Sequence, residues 1–527
     1  MSNVPGAFAH IPNDLTTGGG KWWKNAGVLK LNFFISVVYV AQALNGYDSS
    51  LIGGFQALPS WKAALGNPSR SAIGIMNASF YIAGLLTAPI ASYVSDRWGR
   101  KWCIRYSALA ALLGTILGSI AGVDGADGYG LFTASRVIFG SGISFSLMIS
   151  PIMLQELPHP SQRVVIAGLF NANYAVGAFL AAWVAFGCSY ISNAYAFKIP
   201  YILQAPMALY CLIAIQFVPE TPRWLMSKGR EEEAMAFLVK YHGNGDPQDE
   251  LVLFEFQEMK EAIREEKERH QDSWSQLFAT KGNRHRLAIV FLIVSCQNFS
   301  GTAIISVYYT QILTLVGITG AQKQTGINAG LTAFTCVAAI IGATFVNRLR
   351  RRTMLMGSWA ALILVNVGFV VSAARYVQTG ATSAAYTNVV MLWLYDFCFF
   401  FVCGPLFFSY QTECLSYSVR AKGMMIWGIT AKVISVFNSY VNSIAIGAIG
   451  WKYYLVYTCT LTLQLVCMYL VAVETSGYTL EEIAVLFDGE NSTAPHVEVA
   501  QYEQSTHEKK KVGDAQVVDV SATSSKV

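Results

Sequence analysis

Asp96-Arg97-Trp98-Gly99-Arg100-Lys101 sits between two long apolar runs, and Asn347-Arg348-Leu349-Arg350-Arg351-Arg352 sits 251 residues later in the same setting. A basic loop joining two apolar segments marks a turn held on one side of a bilayer. Its reuse at long range marks a duplicated helical bundle. The second copy is degraded: Asn347 stands in place of the acid, and Arg350 in place of the glycine. Duplicated bundles of this kind fit solute transport before any substrate is considered.

Composition agrees with a membrane chain. Of 527 residues, 54% are hydrophobic and 13% charged, against about 25% charged in ordinary soluble domains. Mean hydropathy is +0.40. The net charge of +5 is no nucleic-acid signal, because the basic residues cluster beside apolar runs. The ten cysteines are scattered singly and lack zinc-ligand spacing, which fits apolar packing. Residues 1–20 are polar and carry no cleavable signal-peptide pattern.

A helix crossing the hydrocarbon core needs ~20 apolar residues. Twelve segments qualify: 30–54, 72–94, 102–122, 130–153, 164–187, 198–218, 286–314, 325–346, 353–374, 387–410, 422–447 and 451–472. Lys and Arg alternate with them. Lys21, Lys24 and Lys30 precede span 1; Arg97, Arg100, Lys101 and Arg105 lie between spans 2 and 3. Arg348 to Arg352 lie between spans 8 and 9, and Arg420 and Lys422 between spans 10 and 11. The intervening loops are poor in positive charge, so both termini are expected in the cytoplasm.

The expected organisation is a cytoplasmic N-terminal segment (1–29), a six-helix bundle (30–218), a charged linker (219–285), a second six-helix bundle (286–472) and a tail (473–527). Mixed charge at helical spacing predicts amphipathic surface helices in the linker. The Ser/Thr/Glu/Lys-rich tail is expected to be disordered from about 488. Further echoes support duplication. Glu156…Arg163 after span 4 repeats as Glu413…Arg420 after span 10, at an offset of 257. Glu220 after span 6 repeats as Glu474 after span 12, at an offset of 254.

These features resemble the sugar porter family of the major facilitator superfamily from about residue 40 to 485. The matching motifs are Asp96-Arg-Trp-Gly-Arg-Lys, Arg136 with Gly140 and Gly142, Glu156…Arg163, Pro219-Glu-Thr-Pro-Arg-Trp-Leu, Gln297-Asn-Phe-Ser-Gly301, Glu413…Arg420-Ala-Lys-Gly423, and Glu474-Thr-Ser-Gly-Tyr-Thr-Leu-Glu-Glu-Ile. Gly46-Tyr47-Asp48 and Gly450-Trp-Lys-Tyr-Tyr look most like the fungal lactose-permease and hexose-transporter group. The resemblance implies an all-α membrane protein with the major facilitator fold: twelve transmembrane helices in two six-helix pseudo-symmetric halves. It also implies alternating-access transport of a hexose or disaccharide.

Asp48 in span 1 and Arg136 in span 4 are the first candidates. A lone charge in hydrocarbon costs ~2.5–3.5 kcal/mol on insertion scales, so these two are expected to pair beside a watery cavity. By resemblance, an acid at Asp48 implies proton symport, with the proton gradient in place of any cofactor. A static ion pair that only fixes helix packing is the alternative. Arg97, Arg100, Glu156, Arg163 and Glu220 in the first half, and Arg351, Glu413, Arg420 and Glu474 in the second, are candidate gating charges. In the resembled family such residues pair and part during the cycle; as topology signals and solvated caps they would do neither. The lost acid at Asn347 implies a weaker second gate.

A sugar site needs groups that both donate and accept hydrogen bonds, which amides do. The resemblance places Asn171, Gln297, Asn298 and Phe408 there, with Asn438 as a further candidate. Shorter amides, Ala303 for asparagine and Phe408 for tryptophan leave a roomier, less polar site. Each amide has an interhelical hydrogen bond as its plain alternative. Tyr308 and Tyr309 are candidate lid residues. Lys432, deep in span 11, either pairs with Asp396 of span 10 or faces the cavity and favours an acidic substrate.

No phosphate-binding loop, nucleophile elbow or metal cluster is present, so an enzyme is not expected. The expected partners are a small sugar-like molecule and the lipid bilayer, with no nucleic acid, in a monomer at the plasma membrane. Export of a secondary metabolite and non-transporting sugar sensing are the rival functions.

Overall fold

The computed structural model describes residues 22–476 except 124, 269–274, 346–348 and 416, together with 483 and 486–488. The regular structure among them is helical. Ten stretches are long and apolar enough to cross a membrane; one of them, the 50-residue Lys422–Val471, holds two successive spans, and the shorter apolar stretch Ala172–Cys188 lies in a further helix. The described residues therefore trace twelve spans.

Spans 1 to 5 are Ala26–Phe55, Arg70–Trp98, Arg100–Ile120, Gly128–Glu156 and Arg163–Cys188. Span 6 is broken into Tyr195–Ile202 and Ala205–Ala214, and span 7 into Lys281–Asn298 and Thr302–Leu315. Spans 8 to 12 are Ala321–Phe345, Arg351–Thr379, Thr382–Cys414, Tyr417–Ile449 and Tyr453–Val471. The helix ends are capped from sequence. Asn25 Oδ1 accepts the N–H groups of Gly27 and Val28, and Ser69 and Asp127 cap spans 2 and 4.

The sequence predicts continuous helices for spans 6 and 7, and the structure breaks both. Pro206 starts the second piece of span 6, where its missing N–H costs nothing. In span 7 the chain leaves helical geometry at Phe299 and turns at Gly301, whose φ of +95° lies in the left-handed region. The short helix Pro59–Ala64 between spans 1 and 2 is not anticipated by the sequence reading.

Close helix crossings use glycine. A Cβ on Gly46 would strike the Tyr174 carbonyl, and one on Gly177 the Ala43 carbonyl, so spans 1 and 5 touch backbone to backbone. Between the sixth and seventh spans lie the helices Pro222–Ser227, Glu231–Tyr241, Glu250–Glu268 and Gln276–Ala279. Outward, the spans show bare apolar side chains such as Leu86, Leu113, Leu364 and Leu470, the surface a lipid tail would cover. Exposed Trp22, Trp23, Trp98 and Trp102 gather at the end carrying the basic loops, as interfacial aromatics do.

One large apolar cluster joins the two halves. It runs from Tyr47, Phe55 and Trp61 to Ile304, Tyr308 and Tyr454, away from the basic loops, and continues along the second half to Leu355, Cys414 and Met468, near its basic residues. A separate cluster lies within the first half and takes in Phe237, Tyr241 and Val252 of the linker.

Candidate transport site

Asp48 and Arg136 meet in the interior of the first half. Arg136 Nη1 donates to Asp48 Oδ2 at 2.5 Å, and the residues are 0% and 4% exposed. The guanidinium lies 4.5 Å from the centre of the Phe80 ring. Asp48 Oδ1 is buried and has no hydrogen-bond partner among the described residues. The pair is therefore electrically closed but chemically incomplete, with one carboxylate oxygen free to take a proton.

The break in span 7 sets out the amides. A helix break in a membrane must have its freed carbonyls satisfied by neighbours. Here Asn438 Nδ2 donates to the Asn298 carbonyl at 2.6 Å, Thr460 Oγ1 to the Phe299 carbonyl at 3.2 Å, and Tyr395 Oη to the Ser300 carbonyl. Spans 11, 12 and 10 thus each hold one carbonyl of the break. The Asn298 side chain donates to the Val294 carbonyl at 2.9 Å and accepts from Ser435 Oγ at 3.0 Å. Gln297 differs: its Oε1 is buried without a partner among the described residues. Among the described residues, Gln297 shows a buried open acceptor, whereas Asn298 and Asn438 serve the break. The side chains of Asn171 and Phe408 lie outside the described residues.

Lys432 does not pair with Asp396 among the described residues. Its Nζ lies 6.0 Å from the centre of the Tyr81 ring on span 2, against Gly84. Asp396 is buried at 3% exposure, with Oδ1 lacking a partner among the described residues.

The charged ends form two matching constructions. In the first half, Glu220 accepts the backbone N–H groups of Arg100 and Lys101, each at 3.2 Å. In the second, Glu474 accepts those of Arg351 and Arg352 at 2.9 and 3.1 Å. Each acid follows the last span of its half and caps the third span of that half, where the helix dipole favours a carboxylate. Beside these caps, Arg100 pairs with Glu156 at 3.4 Å and Arg351 with Glu413 at 3.5 Å. Burial raises the Glu220 carboxyl above the usual range, and the two N–H bonds oppose that rise. Arg97 stands apart, exposed and bonded to Tyr93 Oη at 3.3 Å. The Arg420 side chain and residue Asn347 lie outside the described residues.

Arg163 is drawn into the linker. Its Nη2 donates to Glu255 Oε1 at 2.6 Å, and Glu255 Oε2 meets His242 Nδ1 at 2.5 Å. The His242 Nε2 faces the Leu157 carbonyl at 3.2 Å, and the His159 ring lies 5.5 Å from that of His242. Burial would raise the Glu255 carboxyl, but His242 and then Arg163 hold it below the usual range. Burial, with help from His242, pushes His159 down to about 3. The sequence offers no signal for this clamp, because Glu255 reads as one more carboxylate in a charged helix.

Tyr308 and Tyr309 do act where the halves meet. Tyr308 Oη donates to the Ser439 carbonyl at 2.6 Å and accepts from Asn77 Nδ2 at 3.2 Å. Tyr309 packs over Gly53. Gln56 Nε2 donates to the Val307 carbonyl at 2.7 Å, and Ser443 Oγ to the Arg70 carbonyl at 2.7 Å. These bonds between halves lie at the end opposite the basic loops. Sequence reasoning missed Gln56, Asn77 and the Phe80-Tyr81 pair, since polar and aromatic residues inside spans carry no mark of which helix they face.

The sequence profile of the family described as "Sugar (and other) transporter" matches residues 34–487. The MFS-type transporter criB of Aspergillus cristatus is 27% identical over 455 residues, covering 84% of this chain and 90% of that protein. The high-affinity glucose transporter of Kluyveromyces lactis is 27% identical, covering 85% and 83%. Among solved structures, the inward-open xylose transporter XylE of E. coli superposes with a TM-score of 0.71 at 19% identity, covering 87% of this chain and all of that one. At such low identity the superposition speaks for the fold: an all-α, multi-pass membrane protein of the major facilitator type.

Proposed function

The chain belongs to the sugar (and other) transporter family and is a secondary transporter rather than an enzyme, and we propose that it carries a sugar or sugar-like hydroxylated solute by proton symport. The observation that carries this reading is the Asp48–Arg136 pair, buried and with one carboxylate oxygen unpartnered. A carboxylate balanced between burial, which favours the proton, and a guanidinium, which opposes it, responds to small changes in solvent access. Opening the cavity to one side and then the other converts that response into proton pick-up and release. Gln297 supplies an open acceptor for a hydroxyl group on the facing half.

Residues 30–218 and 286–472 are taken as the two moving bodies, joined by the linker at 219–285, with the tail beyond 472. The bonds of Gln56, Asn77 and Arg70 with the second half support a form closed at the end away from the basic loops. In that form the charges at the other end pair within their own half, Arg100 with Glu156 and Arg351 with Glu413. The positive-inside pattern supports cytoplasmic termini, and a plasma-membrane site belongs to the same reading. A monomer without nucleic-acid partners fits a basic surface spent on helix caps and loop turns.

The test is uptake of a labelled sugar panel in transporter-null yeast, with and without an uncoupler. Accumulation above equilibrium that collapses with the uncoupler supports symport. Asp48→Asn is expected to abolish accumulation while counterflow exchange persists. Undiminished accumulation in that variant would end the coupling role of Asp48.

A further inference from the structure

We propose that Lys432 is a carboxylate-binding group of the transport site, so that the favoured cargo is a hydroxylated monocarboxylate, such as a sugar acid, rather than a neutral sugar. The inference rests on the transport reading above and names its substrate class.

Phe80 and Tyr81 are neighbours on span 2, with ring centres 5.2 Å apart, and each faces a cation. Phe80 lies under Arg136 of its own half, and Tyr81 under Lys432 of the other. Arg136 has Asp48 as its counter-ion. Lys432 has no ion pair and no hydrogen bond among the described residues, although Asp396 is the acid that the sequence offers. Two cations flank this aromatic pair and one carboxylate serves them. An intramembrane charge left without a partner is costly and, by default, functional. A ring face softens that cost and leaves the ammonium donors of the lysine unused.

The position suits a ligand. Lys432 lies 15 residues into the 33-residue span 11, near its middle and against span 2 of the opposite half. Gly84 has no side chain to fill the space at Nζ. One turn along the same face, Ser435 meets Asn298, beside the open acceptor of Gln297. One helical turn is about 5.4 Å, so a single small molecule can set its carboxylate on Lys432 and a hydroxyl on the open acceptor of Gln297. Such a ligand bridges the halves through a charge, which ties its binding to their closure.

Glucose and glucuronate share a ring and differ in the C6 carboxylate, which makes them matched probes. Uptake of both labelled probes is measured in proteoliposomes of the full chain under a proton gradient. The expected result is a higher kcat/KM for glucuronate, with Lys432→Met lowering the glucuronate-to-glucose ratio by about 30-fold and Lys432→Arg largely preserving it. Glucose carried with no inhibition by glucuronate would overturn the inference and leave the transport reading intact. Equal loss of both probes in correctly folded Lys432→Met would also overturn it, assigning the lysine to packing. Glucuronate that raises the Tm of the wild type but not of Lys432→Met, with no flux of either probe, would support the anion site and sink the transport reading. The absence of both flux and a Tm shift would overturn the inference.

Discussion

Gln297 and Asn298 show how much a residue's role depends on what its neighbour already does. Both are amides at a helix break, with the same donors and acceptors. Asn298 spends its side chain on Val294 and Ser435, whereas Gln297 keeps Oε1 free. Gln297→Ala is expected to raise the substrate KM about tenfold at little cost in stability, the worth of one or two hydrogen bonds. Asn298→Ala is expected to lower the Tm by loosening spans 7 and 11. Transport kinetics and a thermal-shift assay on both variants separate the roles. His159 makes a prediction about acid. Its folded-state value of about 3 lies below the ordinary 6.5, so the unfolded or undocked chain binds more protons between these limits. Docking of the linker therefore weakens as pH falls through 6.5, by up to about 1.4 kcal/mol per unit. Glu255, held low by His242 and Arg163, keeps its charge over the upper part of that window. Hydrogen exchange of residues 231–268 between pH 7.5 and 5 reads the effect, and His159→Asn is expected to flatten it.

At the scale of elements, the structure repeats one device: the acid after the last span of a half caps the third span of that half. The echo of Glu220 in Glu474 suggests a shared job, and the geometry supplies it in the paired backbone N–H bonds. Replacing Glu474 by Gln keeps one acceptor oxygen, sets an NH2 group that cannot accept against the other N–H, and removes the charge that the helix dipole favours, so a loss of about 1–2 kcal/mol is expected. Glu474→Ala leaves two N–H groups unsatisfied and is expected to cost more. Thermal unfolding in detergent orders wild type, Gln and Ala. The break in span 7 is the second element-scale constraint. Gly301 has φ of +95°, and a Cβ there would crowd Tyr395 and Tyr457. Gly301→Val is therefore expected to fold poorly or not at all, with expression and monodispersity as the readout. The echo between the basic loops is legible in sequence because charge must lie outside the bilayer in both copies. The break is only half legible, since the sequence shows Ser300-Gly301 but not the three spans that hold the freed carbonyls.

At the scale of the whole molecule, part of one large apolar cluster and several hydrogen bonds seal the halves together away from the basic loops. A Cβ on Gly74 would lie 3.4 Å from the Ser443 Cβ, close to the Cβ–Cβ separation of a disulfide. Gly74→Cys with Ser443→Cys is expected to cross-link on oxidation and to stop net uptake, with recovery on reduction. Uptake that continues in the cross-linked protein would mean that spans 2 and 11 do not separate during the cycle.

The amino-acid sequence by itself determined the all-α membrane fold and its repeated apolar spans. Each follows from one strong rule: hydrocarbon rejects charge and unpaired backbone, and those costs are large enough to be read from composition and spacing. Tertiary structure alone decided which polar groups are spent and which are free. Only packing shows that Asn298 and Asn438 mend a broken helix, that Glu255 holds Arg163, and that Lys432 faces Tyr81 instead of Asp396. Those assignments turn on which face of one helix meets which face of another, and contacts between distant residues leave no periodic trace along the chain.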